Sequence, residues 1–206
     1  MHGKENAMIA ELVKANRSCR RFEERHGVPM DILRALTDLG RLSASAANLQ
    51  PLKYILCCNR SMNAKIFACL SWARYLEDWP GPAEGERPAA YIVMLHDRSV
   101  SRHIDCDHGI SAQSILLGAR EMGLAGCMLG AVDRKTLRSL LGIGEDLKII
   151  LVLAIGKPKE RVVIETLETP GDIRYWRDAD GAHHVPKRSL AQLLLAEYDL
   201  ESDPSE

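Results

Sequence analysis

Arg17-Ser18-Cys19-Arg20-Arg21-Phe22 sets three arginines and a serine into six residues, directly after a helix-compatible stretch at 8–15. No acid interrupts it until Glu23, whereas a solvated surface would scatter Lys and Glu. Guanidinium groups present a fixed fork of donors that fits phosphate oxygens, and they keep their charge. A helix followed by clustered arginine and a hydroxyl therefore reads as an anion site. The alternative is a basic turn at a helix C-terminus, where the backbone dipole already favours cations. The rest of the chain has to decide between them.

A length of 206 residues suffices for one domain with a substantial core, or for a core shared across a dimer. Charged residues are 27% of the chain and the formal net charge is -1, so there is no global attraction to nucleic acid or anionic membrane, and any basic site has to be local. No apolar run is long enough to span a bilayer, and the N-terminal Lys4-Glu5-Asn6 lacks the apolar segment of a signal peptide. Six cysteines, with no Cys-x-x-Cys pair, sit mostly in apolar segments; they read as reduced thiols of a cytoplasmic protein.

Downstream, Pro29 and Asp31 open a helix pattern with Ile32, Leu33, Leu36 and Leu39 on one face, ending at Gly40. Ser43-Ala44-Ser45-Ala46-Ala47-Asn48-Leu49-Gln50-Pro51 reads as a loop that lets something approach the backbone, and 54–58 as a short strand. Ser61 is expected to cap a helix reaching Leu76. Residues 78–88 hold Pro80, Gly81, Pro82, Gly85 and Pro88, a loop expected to shape an open site, with Trp72, Tyr75 or Trp79 either stacking on a substrate or packing the core. A buried strand at 90–95 precedes a helix capped by Asp107 and closed by Gly123. Asp133 caps another helix, and 148–155 is the strongest strand. An arm from about 171 ends in an expected helix at 190–198. Helices around a few strands, without a βαβ repeat, predict an α+β fold.

No dinucleotide-binding glycine pattern, phosphate-binding P-loop or nucleophile elbow occurs. His103-Ile104-Asp105-Cys106-Asp107-His108 carries metal-type side chains, but adjacent residues converge poorly on one ion, and no metal site is assigned. Taken together and in order, Asn16–Phe22, Ser43–Pro51, Gly123–Ala131, 149–158 and 185–190 resemble the nitroreductase family of FMN-dependent oxidoreductases over nearly the whole chain.

The resemblance implies a single nitroreductase-like domain over 1–206, a small, mainly antiparallel sheet surrounded by helices, and a homodimer that exchanges its C-terminal arms. It implies FMN at the subunit interface, NADH or NADPH as donor, and an electron-poor small molecule, nitroaromatic or quinone-like, as acceptor. A flavin reductase, enone reductase, reductive dehalogenase or flavin-binding sensor on the same scaffold is the alternative. It assigns Arg17 and Ser18 to the phosphate and ribityl contact and Arg20 to the flavin pyrimidine edge. Ser45, Asn48 and Gln50 match the loop laid along the flavin, Gly130 and Ala131 the backbone facing its central ring, and Lys187 and Arg188 the basic pair completing the phosphate site. No catalytic side chain is assigned, because the cofactor carries the redox chemistry. Ala46-Ala47 stands where small glycines are usual, and Leu52-Lys53 where an aromatic residue is common.

Overall fold

The structure, a computed structural model, describes residues 2–167 and 171–199, with side chains from residue 8 onward. It divides into two compact units, Met1–Arg161 and Val162–Glu206. The first is built on a four-stranded antiparallel sheet in the order β1-β2-β4-β3, from β1 (Leu52–Cys57), β2 (Ala90–Asp97), β3 (Ala125–Leu129) and β4 (Leu147–Gly156). The two central strands are the two most continuous apolar runs of the sequence. Their hydrogen-bonding edges are filled on both sides and their faces covered, so neither strand needs polar alternation.

Side chains alternate across the sheet. Ile92 and Met94 of β2, with Leu153 and Ile155 of β4, belong to the main core; Leu33 and Leu36 of helix α2 (Met30–Leu42) and Ala112, Ile115, Leu116 and Ala119 of helix α4 (Asp107–Glu121) complete it. The helix α2 runs two residues past Gly40, the expected end. Gly40 is needed for close approach to α4: a Cβ there would fall 2.6 Å from Ser111 Oγ. Helix α1 (His2–Ala15) precedes the arginine stretch, and α5 (Arg134–Leu141) follows β3. The Asp133 side chain caps α5 by accepting from Thr136 N at 3.1 Å, and Gly142 closes it in the left-handed conformation, φ 62°.

Two helix readings need correction. Helix α3 covers only Arg60–Phe67, and its cap is Asn59, which accepts from Met62 N at 3.0 Å; Ser61 instead donates to the Asn59 side chain. The chain turns at 68–70 and Trp72 is buried, its ring 5.8 Å from Phe67, with Gly81 held against it. Trp72 is thus a packing residue rather than a substrate platform.

The 78–88 loop is fastened at its C-terminal end. Arg21 donates to both oxygens of Glu86 at 2.6 and 2.7 Å, and Lys159 lies 2.9 Å from the same carboxylate. These cations, Arg21 foremost, hold the Glu86 carboxyl down at about 2. Because the folded value lies below the ordinary 4.5, the clamp stabilises fully above pH 4.5 and is lost as pH falls from there toward 2. Glu86→Gln is expected to cost about 1–2 kcal/mol at pH 7 and to flatten the acid dependence in that window. Urea unfolding at pH 7 and pH 3 measures both.

The second unit is a three-stranded sheet in the order β5-β7-β6: β5 (Val162–Leu167), β6 (Trp176–Arg177) and β7 (His183–Arg188). β5 and β7 are parallel, β6 and β7 antiparallel. His184 lies between Glu165 at 2.6 Å and Asp178 at 3.0 Å, under the Trp176 ring 4.0 Å away. Asp178 first and then Glu165 favour its protonated form. The expected helix at 190–198 reduces to a single 3-10 turn, Leu190–Gln192. Leu190, Leu193, Leu194, Leu195 and Tyr198 are all exposed. An amphipathic segment this short gains its helical stability from packing its apolar face, and these side chains have no such cover here.

Candidate functional site

The arginine stretch is laid down as an extended segment against the sheet. Cys19 N donates to Gly126 O of β3 at 2.9 Å, Glu23 N to Lys157 O at 2.9 Å, and Lys159 N to Arg21 O at 3.0 Å. Phe22 is fully buried, forms a bridge to Pro158 and packs on Gly156. Cys19 and Phe22, three residues apart, enter a small core with Ala125.

The three arginines have separate uses. Arg21 belongs to the Glu86 clamp and is structural. Arg17 donates one guanidinium nitrogen to Val13 O at 2.6 Å, while its Nε is buried and has no hydrogen-bond acceptor. Arg20 is buried, and its backbone N–H donates to Glu160 Oε2 at 2.8 Å. Ser18 is exposed. The Ser18 and Arg20 side chains both reach the sulfur of Cys127 on β3. Burial pushes the Cys127 thiol up although Arg20 opposes it, and burial with Glu160 pushes Cys19 up to about 12. Both thiols are protonated and chemically quiet at neutral pH.

From β3 the chain runs directly into Gly130 and Ala131, both exposed. Ser71 N donates to Ala131 O at 3.0 Å, and Leu70 forms a bridge to Val132. Arg134 fixes the same turn by donating to Gly130 O at 3.0 Å and Ile149 O at 3.1 Å. The fold therefore joins Arg17, Ser18 and Arg20 to Gly130 and Ala131 through one strand. An unsatisfied buried guanidinium nitrogen, an exposed hydroxyl and a side-chain-free backbone at Gly130, where an added Cβ would meet nothing closer than 3.9 Å, fit a flat cofactor carrying a phosphate.

The Ser45–Gln50 loop is anchored elsewhere. Ser45 Oγ donates to Asp107 Oδ2 at 2.5 Å, Ala46 N donates to Asp107 Oδ1 at 3.0 Å, and Gln50 N donates to Ser45 Oγ at 2.9 Å. Asp107 is buried at the first residue of α4, and its carboxylate serves this loop; the helix cap that the sequence predicts at Asp107 is not formed. Ala47, Asn48 and Gln50 have φ of 48°, 54° and 52°. Three non-glycine residues in the left-handed region cost of order 1 kcal/mol each, so the anchor is what holds them. Asn48 and Gln50 are exposed, and a hollow of about 210 Å³ beside them is lined by Ser45, Lys53, Tyr54 and Ser111. Asn16, next to Arg17, bonds to Gln113, about two turns along α4 from Asp107, so the two stretches sit at different levels of that helix. Asp107→Ala is expected to cost about 2–3 kcal/mol by leaving Ser45 and Ala46 unsatisfied. Urea unfolding measures it, and faster proteolysis at 45–50 would show that the loop has been released.

Lys187 and Arg188 are exposed at the end of β7 in the second unit. Arg134 and Glu160 escaped the sequence reading, and Asp107 entered it only as a helix cap. Each acts on backbone groups, Asp107 and Glu160 at least 60 residues away in sequence, and no local pattern reports that.

Comparison with known proteins bears on the family and the fold. The profile of the nitroreductase family matches residues 13–157, from the arginine stretch to the end of β4. The chain belongs to the nitroreductase family. A relative from Archaeoglobus fulgidus, provisionally named NADH dehydrogenase/NAD(P)H nitroreductase, is 29% identical over 160 residues, 73% of this chain and 85% of the relative. Among solved structures, a nitroreductase family protein from Clostridium novyi NT has a TM-score of 0.62 at 21% identity, covering 73% of this chain and 84% of its own. An FMN-dependent nitroreductase from Clostridium difficile R20291 has a TM-score of 0.60 at 19% identity, covering 73% and 87%. These likenesses bear out the α+β fold with its antiparallel sheet, and membership makes this nitroreductase-family chain an oxidoreductase. No helix among the described residues is long and apolar enough to cross a membrane.

Proposed function

We propose that this chain is an FMN-dependent NAD(P)H oxidoreductase that reduces an electron-poor small molecule, nitroaromatic or quinone-like, and that it works as a cytoplasmic homodimer. The observation that carries the reading is the joining of Arg17, Ser18 and Arg20 to Gly130–Ala131 through β3, with Arg17 Nε buried and unsatisfied. FMN supplies the two-electron chemistry when bound. Arg17 and Ser18 donate to its phosphate and ribityl oxygens. Arg20, buried and charged, stabilises negative charge on the reduced ring more strongly than an exposed cation would. Gly130 and Ala131 offer backbone to the ring without a bulky side chain.

In this reading the Ser45–Gln50 loop, set by Asp107 at another level of α4, serves the site of the second copy or its own, and Lys187 and Arg188 complete the phosphate contacts after arm exchange. The exposed leucines after Arg188 then gain their cover from the partner. No side-chain acid or base is required, consistent with the quiet thiols of Cys19 and Cys127. Steady-state oxidation of NADH and NADPH with a nitroaromatic and with a quinone tests the proposal. Turnover well above that of free FMN at equal concentration supports it. A rate equal to free FMN with both donors and both acceptors would make the chain a flavin-binding protein without this activity.

A further inference from the structure

A hollow of about 630 Å³ lies between α3, the start of β2 and residues 24–27, and none of Arg17, Ser18, Arg20 or the β3 residues lines it. Its volume is that of a small-molecule site. Three guanidinium groups, Arg25, Arg60 and Arg87, stand in its wall against a single acid, Glu24. That acid is turned to backbone, accepting from Gly85 N at 2.5 Å and Arg87 N at 3.4 Å. Neither Arg25 nor Arg60 has an ion-pair partner among the described residues, and Arg87 lies 4.6 Å over the Phe67 ring with its buried Nε unsatisfied.

Two buried wall residues also carry unmet polar atoms. Tyr91 is fully buried and its hydroxyl has no hydrogen-bond partner; Asn63 is 8% exposed, donates to Ala89 O at 2.7 Å, and leaves its Oδ1 without a donor. Buried polar groups are ordinarily satisfied, and two in one wall beside three arginines, two of them without an ion-pair partner among the described residues, mark a place built for a polar guest. Phe67 and Pro88 supply an apolar surface beside them.

We propose that this cavity binds a small organic oxyanion, an aromatic or similarly flat body carrying one carboxylate or phosphate. The guanidinium groups of Arg25, Arg60 and Arg87 take the anionic head, Phe67 and Pro88 take the flat body, and Tyr91 and Asn63 supply a donor and an acceptor. Such a guest would bridge α3 to the fastened end of the 78–88 loop, since Gly85 and Glu84 line the adjoining hollow with Arg25 and Arg60.

Calorimetric titration of the full chain with benzoate, phenyl phosphate and inorganic phosphate tests this without reference to flavin or turnover. The expected result is saturable binding of benzoate or phenyl phosphate, at least about tenfold tighter than inorganic phosphate, and weakened about tenfold by Arg60→Ala or Arg87→Ala but not by Lys65→Ala on the exposed side of α3. Whichever aromatic anion binds identifies the head group. Absence of saturable binding by both up to about 10 mM, equal binding of inorganic phosphate, or binding that neither arginine variant weakens by more than about threefold would overturn it. Arg60 is exposed, so its variant reads out the charge without disturbing the core.

Discussion

Arg17→Ala is expected to weaken FMN binding about 10- to 100-fold while leaving thermal stability almost unchanged. A charge-assisted hydrogen bond to a phosphate contributes about 1.5–3 kcal/mol, and each 1.4 kcal/mol is a factor of about ten in affinity. The fold spends little on this side chain. Its one hydrogen bond is to Val13 O in the last turn of α1, and its Nε is buried without an acceptor. Arg17→Lys should recover part of the loss, because it keeps the charge but not the fork. Fluorescence titration of FMN against the three proteins measures it. An affinity for Arg17→Ala within twofold of the parent would remove this residue from the phosphate contact.

Gly126→Val is expected to have the largest effect on stability, about 3 kcal/mol or more, and to abolish FMN binding with it. A Cβ at Gly126 would lie 2.6 Å from the backbone oxygen of Ala154 and 2.5 Å from Leu116 Cδ2. The first of these is a sheet carbonyl that cannot move without breaking the β3–β4 pairing, so overpacking is not relieved by a rotamer change. The same residue accepts the hydrogen bond from Cys19 N that seats the arginine stretch. Gly144→Ala is the control: an added Cβ there meets nothing within 4 Å, and a change within about 0.5 kcal/mol is expected. Urea unfolding of both variants separates the two cases. Near-parental stability in Gly126→Val would mean that β3 does not carry the stretch as described.

The contrast between these residues shows what the sequence disclosed and what it withheld. Strands β2 and β4 were legible because continuous apolar runs are buried wherever they pair. Helices α2 and α4 were legible from their apolar spacing, and the start of α5 from its cap Asp133. The clustering of Arg17, Ser18 and Arg20 was legible as a candidate anion site since phosphate chemistry needs clustered fixed donors, and the structure brings the Ser18 and Arg20 side chains together at Cys127. The role of Arg21 was not: its partner Glu86 lies 65 residues away in a loop whose course local sequence does not set. Asp107 looked like a helix cap because capping acids and loop-anchoring acids occupy the same position in sequence; only the path of 45–50 tells them apart. The end of α3 was misplaced because the chain turns at 68–70 and packs Trp72 on Phe67, a contact that no local spacing reports. The helix at 190–198 failed for the opposite reason, an apolar pattern left exposed among the described residues.

The central claim is that the site built on Arg17, Arg20 and Gly130 holds FMN and exchanges electrons with a nicotinamide. The most direct test is the visible spectrum of the purified protein with FMN, washed free of excess flavin, recorded before and after anaerobic addition of NADH and then NADPH. Retained flavin absorbance that bleaches with at least one donor, and returns on adding a quinone, is the predicted result. A colourless protein after washing, or retained flavin that neither donor bleaches, would contradict it.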